Sequence, residues 1–377
     1  MDSQNNFFHS LAALHYVCQH QHIPFMSYRL PLHAAITTLV QYQSQPATIK
    51  KPEELNKAEG FVFSPFTENN EQKTIVLKPN LKFKDNNIST EFISELSTCN
   101  LFNDNTVLNK KNKSTSKKDF EKCVQHAVDA IKKGEFRKVV VSKIQNIDLP
   151  NNFSAPHLFQ KLCATYPHAY VYFLQLPGAG CWMGATPEPL LTTDGDLMQT
   201  VSLAGTQQAT NIAINEYSWT DKEIEEQEIV TNFVEKVLQE SGIQNYSKSK
   251  TENYKAANLI HLKSSFTFEY STTKNKLSKL IQALHPTPSV GGLPRNEAIQ
   301  FINAHEKHNR AYYTGFLGDI SASEGVNLFV NLRCMQLTNT YLTLYSGAGI
   351  TASSVPEKEW DETENKLMTL KQVLFSS

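Results

Sequence analysis

The chain has 377 residues, with 36 lysines and arginines against 37 aspartates and glutamates, a formal net charge of −1. So even a balance gives no whole-molecule attraction to nucleic acid or to an anionic membrane. Hydrophobic residues at 40% and charged residues at 19% fit a soluble globular protein of one large or two ordinary domains.

The six cysteines (Cys18, Cys99, Cys123, Cys163, Cys181 and Cys334) are scattered. No pair has CxxC spacing, so neither a zinc knuckle nor a redox motif is indicated, and reduced thiols in a cytoplasmic protein are the simplest expectation. The N-terminus, with Phe7, Phe8, Leu11 and Leu14 among polar residues, lacks the charged start and apolar core of a signal peptide. No window approaches the roughly 18 apolar residues of a membrane span.

In chain order, Phe7 to Cys18 predicts an amphipathic helix, and Arg29 to Tyr42 and Gly60 to Phe66 hold short apolar runs. Residues 1–102 carry no chemical motif. Residues 103–118 are polar and lysine-rich. With few apolar residues to bury and no aromatics between the lysines, they read as a solvated linker rather than a nucleic-acid patch. From 119 to 377 the pattern sharpens. Ser116 to Asp119 starts a helix with a capping-box-like turn, Phe120 to Ile131 continues it, and Gly134 ends it. Arg137 to Lys143 is a β-branched strand in which Lys138 shares a face with Val140 and Ser142. A lysine opening such a strand is either an edge gatekeeper or a partly buried amine, and the residues alone favour the gatekeeper.

A helix from about Ala155 to Thr165 and a strand from Ala169 to Leu176 lead to Gly184-Ala-Thr-Pro-Glu188-Pro-Leu-Leu191. Prolines on both sides limit the entropy lost in fixing Glu188. A carboxyl in apolar surroundings has a raised pKa and can serve as an acid near neutrality; the alternative is an exposed loop glutamate. Asp194-Gly195 predicts a hairpin turn, whose second strand runs into Ser202-Leu-Ala204-Gly205-Thr206.

In the helix from about Asp221 to Ser241, Val230, Phe233, Val234, Val237 and Leu238 form the core stripe, and Glu226 falls on it. A carboxylate facing a core needs a cation, either a lysine or a metal. His261 sits in an apolar strand, where a hydrogen-bonded core histidine is the commoner outcome. The run His285 to Pro294 reads as a shaped loop and contains Ser289. Arg333 ends the apolar strand Asn327 to Arg333, aiming a guanidinium where a carboxylate could dock or a surface ion pair could form. The run Tyr341 to Tyr345 leads to Gly347-Ala-Gly349-Ile350, where a ligand can approach backbone N–H groups closely. The last helix has Ser354 as its expected N-cap. It carries Glu359, Glu362 and Lys366 at i, i+3 and i+7, a set that alone reads more readily as a surface Glu–Lys pair than as a cation site.

Taken in order, these blocks resemble the chorismate-utilising enzymes: isochorismate, anthranilate, aminodeoxychorismate and salicylate synthases. The resemblance covers roughly Phe120 to Phe375. It implies an α+β fold of two packed antiparallel sheets with helices outside, residues 1–102 completing the same body, and a site in a cleft. It further implies Mg²⁺ held by Glu226 and Glu362 with Glu359 close by, chorismate as the partner molecule, and Arg333, Gly349 and Lys366 fixing its carboxylates. Ala204, Gly205, His261, Ser289 and Tyr345 would line the site.

The amine-adding members usually carry glutamine where Lys138 stands, and aminodeoxychorismate synthases a lysine where Ala204 stands. The chain is therefore most similar to the water-using isochorismate synthases, of menaquinone or siderophore pathways, with no glutamine amidotransferase subunit. Lys138 would be the general base and Glu188 the general acid. Ser289, where salicylate synthases tend to carry threonine, keeps salicylate synthase as the alternative.

Overall fold

The computed structural model describes residues 2–85, 88–99, 113–210, 212–256, 259–273 and 276–375. Most of the expected linker, residues 103–112, lies outside them. The described strands form two sheets, and every pairing is antiparallel. The first runs from Gly292–Leu293 through Lys138–Asp148, Tyr341–Ile350, Cys334–Leu337, Gly180–Thr186, Tyr170–Leu176, Phe25–Arg29 and Ile36–Val40 to Leu81–Lys84. The central strands of the second are Leu259–Glu269, Leu197–Gln208, Pro189–Asp194, Gly325–Val330, Phe316–Ser321 and Gly60–Ser64. Strands from the first hundred residues thus enter both sheets.

Period-two alternation explains how one strand serves two cores. In Tyr170–Leu176, Tyr170, Tyr172 and Leu174 face the second sheet, while Val171 and Phe173 face outward. The inner layer is aromatic: Tyr170 stacks on Phe329 of the opposite sheet at 4.3 Å between centroids, and Phe63 on Tyr312 at 4.2 Å. Such offset contacts each add about 0.5–1.5 kcal/mol to simple burial.

Helices Asp2–His20, Ala155–Thr165 and Pro356–Leu374 cover the outer face of the first sheet. Helices Asp221–Glu240 and Leu277–Leu284 cover the second. No helix among the described residues is long and apolar enough to cross a membrane, and the six cysteines are free thiols.

Local chemistry sets several ends as expected. Ser116 caps helix Lys117–Lys132 by accepting the Asp119 amide, and Gly195 turns the hairpin with φ +57°. The last helix differs from expectation. Its N-cap is Val355, with no side-chain bond, because the Ser354 hydroxyl instead accepts the Thr351 N–H at 3.1 Å and closes the preceding turn.

Candidate active site

The two sheets meet at a small, partly open cavity of about 50 Å³. The first sheet contributes Val140, Gly347 and Gly349 to its wall, and the second Ala204, Gly205 and His261. Glu188, Glu226, Ser289, Arg333 and Lys366 also line it. A wider cleft of about 450 Å³, lined by Lys222, Glu359 and Glu362, shares Thr206 with the cavity.

Lys138 is fully buried, which overturns the gatekeeper reading. Its end of the strand is not an edge: Val139 pairs with Ile350 on one side and Lys138 with Leu293 on the other. Its ammonium stands 2.9 Å from Glu226 Oε1 in a buried ion pair. Lys138 thus reaches the cavity wall through Glu226 rather than lining it directly. Glu226 has the cation its place on the helix stripe demanded. Burial works against its charge, but Lys138 first and Lys222 next overcome that and hold its carboxyl below the usual range. Its neighbours Glu225 and Glu228 are exposed, as the helix periodicity requires.

Gly349 makes this pair possible. A Cβ there would collide with Glu226 Oε1 and come within 3.1 Å of Lys138 Cε. Gly349→Ala is therefore expected to destabilise the protein by about 1–3 kcal/mol, an overpacking cost. Urea unfolding at pH 7 checks this, and an unchanged midpoint would show that the pair has room to move.

Glu188 is 5% exposed, so the exposed-loop alternative fails. Burial pushes its carboxyl up to about 7, with Lys138, Arg333 and Lys366 pulling the other way. Such a group is a poised acid. His261 is neutral at pH 7, since burial first and Arg333 next hold its pKa down to about 3. Its Nδ1 lies 2.7 Å from the Gly205 carbonyl, which only accepts, so the proton sits on Nδ1. Nε2 is then a bare acceptor, buried without a partner.

Arg333 also departs from the predicted strand. The strand ends at Val330, and Arg333 sits beyond it with φ +46°, its carbonyl held by the Ala185 N–H at 3.0 Å. This left-handed turn directs the side chain into the cavity wall. Its guanidinium makes no hydrogen bond or ion pair with the described residues. Lys366 bonds Glu362 Oε1 at 2.7 Å and the Gly347 carbonyl at 2.8 Å. The Ser289 hydroxyl donates to the Leu203 carbonyl at 2.9 Å.

Glu359 is 1% exposed, so this face of the last helix is not an ordinary surface pair. Lys222 meets its Oε1 at 2.7 Å, while its Oε2 is buried without a partner. Burial, then the like charge of Glu362, pushes Glu359 up to about 7. Burial acts to lower the Lys222 pKa, but Glu362, Glu359 and Glu226 together raise it above its ordinary value.

Tyr345 does not line the cavity. It is covered by Tyr313 and Trp182, stacked at 5.3 and 5.4 Å, and Tyr313 faces the cavity instead. Tyr313 and Lys222 were missed in the sequence. Lys222 had a signal, since it lies one turn before Glu226 on the same helix face. Tyr313 had none, because its turn is brought in only by tertiary folding.

The fold and the cavity define a class: a two-sheet α+β protein with a small inter-sheet site lined by Arg333 and Lys366, cations that suit an anion. The chain belongs to the chorismate-binding enzyme family, whose description is "Chorismate binding enzyme" and whose model matches residues 33–375. It is 30% identical over 260 residues to the isochorismate synthase EntC of Escherichia coli (strain K12), covering 67% of this chain and 66% of that protein. It is 28% identical over 263 residues to the vibriobactin-specific isochorismate synthase of Vibrio cholerae, covering 68% and 67%. The solved structure of the menaquinone-specific isochorismate synthase MenF from Escherichia coli superposes with TM-score 0.75 at 21% identity, covering 93% of this chain and 88% of that one. The matched segment thus spans about two-thirds of the curated relatives' length, while the fold is shared nearly throughout.

Proposed function

We propose that the protein is an isochorismate synthase, converting chorismate to isochorismate by addition of water at ring carbon 2 with loss of the 4-hydroxyl. The observation that carries this reading is one cavity lined by a buried carboxyl poised near neutrality, Glu188, and by Glu226, the partner of a buried lysine, Lys138. Arg333 and Lys366, with the Gly349 amide, bind the substrate carboxylates and orient the ring before reaction. Lys138, acting as its free amine, takes a proton from the attacking water and becomes the ammonium that Glu226 pairs with, and Glu188 gives a proton to the departing hydroxyl. Each transfer contributes about 10²–10⁴-fold. Ala204 offers no amine to attack the ring, and Lys138 stands where the ammonia-using members usually carry glutamine; together these favour water as the nucleophile, with no ammonia-supplying subunit.

The acidic set fits a hard divalent cation. Lys222 feels Glu226, Glu359 and Glu362 together, and Glu359 keeps a buried oxygen without a partner. Among the described residues no three potential ligands already stand close enough to hold a metal; Glu226, Glu359 and Glu362 are each drawn to their own lysine. In this proposal Glu226 and Glu362, with Glu359 beside them, hold Mg²⁺, which when bound neutralises the ring carboxylate. EDTA is then expected to abolish turnover and Mg²⁺ to restore it. Glu362→Gln should weaken Mg²⁺ binding at least tenfold by calorimetry. Full activity in EDTA would remove the metal from the reading.

The deciding experiment incubates the protein with chorismate and Mg²⁺. Mass spectrometry should find a product of unchanged mass, and a lactate-dehydrogenase coupled assay little pyruvate. Pyruvate with fluorescent salicylate would favour a salicylate synthase, the second reading, which the Ser289 hydroxyl in the cavity wall supports. Unchanged chorismate would defeat both.

A further inference from the structure

Strand Lys138–Asp148 is fully paired on one side by Tyr341–Ile350. On its other side, strand Gly292–Leu293 reaches only Lys138 and Val139, and the Gly291 carbonyl then takes the Val140 N–H at 2.8 Å. Past that point no strand among the described residues pairs with the Val140 carbonyl and the Ser142 N–H. Arg310 Nη2 donates to the Val140 carbonyl at 2.6 Å, and Glu306 Oε1 accepts the Ser142 N–H at 2.7 Å. The two side chains grip each other, Arg310 Nε donating to Glu306 Oε2 at 2.8 Å and Nη2 to Oε1 at 2.6 Å. Arg310 Nη1 donates to the Val290 carbonyl at 2.8 Å and to Thr314 Oγ1 at 3.4 Å, while His308 Nε2 meets the Ser142 hydroxyl at 2.9 Å. Glu306 and Arg310 are each 3% exposed. Val140, Val290 and Thr314 all line the cavity.

We propose that the Glu306–Arg310 pair is a positioning device for the site. It stands in for a missing strand and fixes the segment carrying Lys138 against the loop of Ser289–Val290 and the turn of Tyr313–Thr314. Neither side chain lines the inner cavity, so they act through the backbone they hold and are not catalytic residues. The planar, five-donor guanidinium is the one side chain that can fork a carboxylate and reach two carbonyls at once, and a lysine of equal charge cannot. This inference rests on the reading of Lys138 as the base.

Arg310→Lys keeps the buried charge paired and loses the fork. In the full chain with saturating Mg²⁺, its kcat on chorismate is expected to fall at least tenfold while KM stays within about threefold. In a Lys138→Gln background, which keeps a donor beside Glu226, the same change should cost no further turnover, since there is no base left to position. Hydrogen exchange over residues 138–146 should quicken at least tenfold. A lower melting temperature with unchanged kcat per folded molecule, or losses that multiply with Lys138→Gln, would overturn the proposal in favour of a merely structural pair. If the wild-type protein leaves chorismate untouched, the functional reading falls. Hydrogen exchange then decides the pin alone: faster exchange in Arg310→Lys supports it, and unchanged exchange overturns it.

Discussion

Glu188→Gln is expected to lower kcat on chorismate about 10²–10⁴-fold, with KM changed little, because it deletes a proton donor and keeps the shape. It should also make the protein more stable at alkaline pH. Burial raises the Glu188 carboxyl from 4.5 to about 7, so the folded state holds this proton more tightly than the unfolded chain does. Between those values the unfolded chain has released the proton while the folded protein retains it. Stability therefore falls as pH rises from about 4.5 and levels off above about 7. The accumulated cost is about 3 kcal/mol, from the shift in pKa. Glutamine carries no such slope. Urea unfolding at pH 5 and pH 8 should show the wild type losing stability between them, and the variant more stable than wild type at pH 8. The same titration predicts that wild-type kcat declines above pH 7, as the acid loses its proton. Wild-type turnover in Glu188→Gln would remove the acid role, and equal pH slopes would show that Glu188 is not held protonated by burial.

What could be read from the sequence was what local periodicity encodes. Glu226 was legible because five apolar residues on its helix face fixed its direction, and a carboxylate so placed demanded a cation. Which cation it had was not legible, since Lys138 lies about ninety positions earlier and meets it only across the packed layers. Lys138 looked like an edge residue for the same reason: the strand that covers it, Gly292–Leu293, is two residues long and has no period of its own. Glu359 read as surface because helical spacing cannot say what packs beside a helix. Here Lys222 does, from another element. Tyr345 and Tyr313 show the limit differently. Strand alternation put Tyr345 on the same face as Gly347 and Gly349, but the ring of Tyr313 lies between it and the cavity. The ordered blocks conveyed the family and the two-sheet fold because they sample many long-range contacts at once, which no single spacing does.

Lys138 pairs with Glu226 and is the proposed base, and substitution should separate the two roles. Lys138→Ala removes the proposed base and strips Glu226 of its nearest counter-charge. Breaking a buried pair on one side costs about 3–5 kcal/mol, so a dead Ala variant could simply be unfolded. Lys138→Gln keeps a donor beside Glu226 and cannot accept the proton of water. It should fold, bind chorismate with near-normal affinity by calorimetry, and turn over about 10²–10⁴-fold more slowly. Pairing Lys138→Ala with Glu226→Gln removes both charges together and should recover most of the lost stability without recovering turnover. The pattern to look for is melting temperature restored while kcat stays low. Near-wild-type turnover in Lys138→Gln would show that the ammonium only neutralises Glu226 and that water is activated elsewhere. His261 Nε2, the buried acceptor left open on the cavity wall, would then be the group to substitute next.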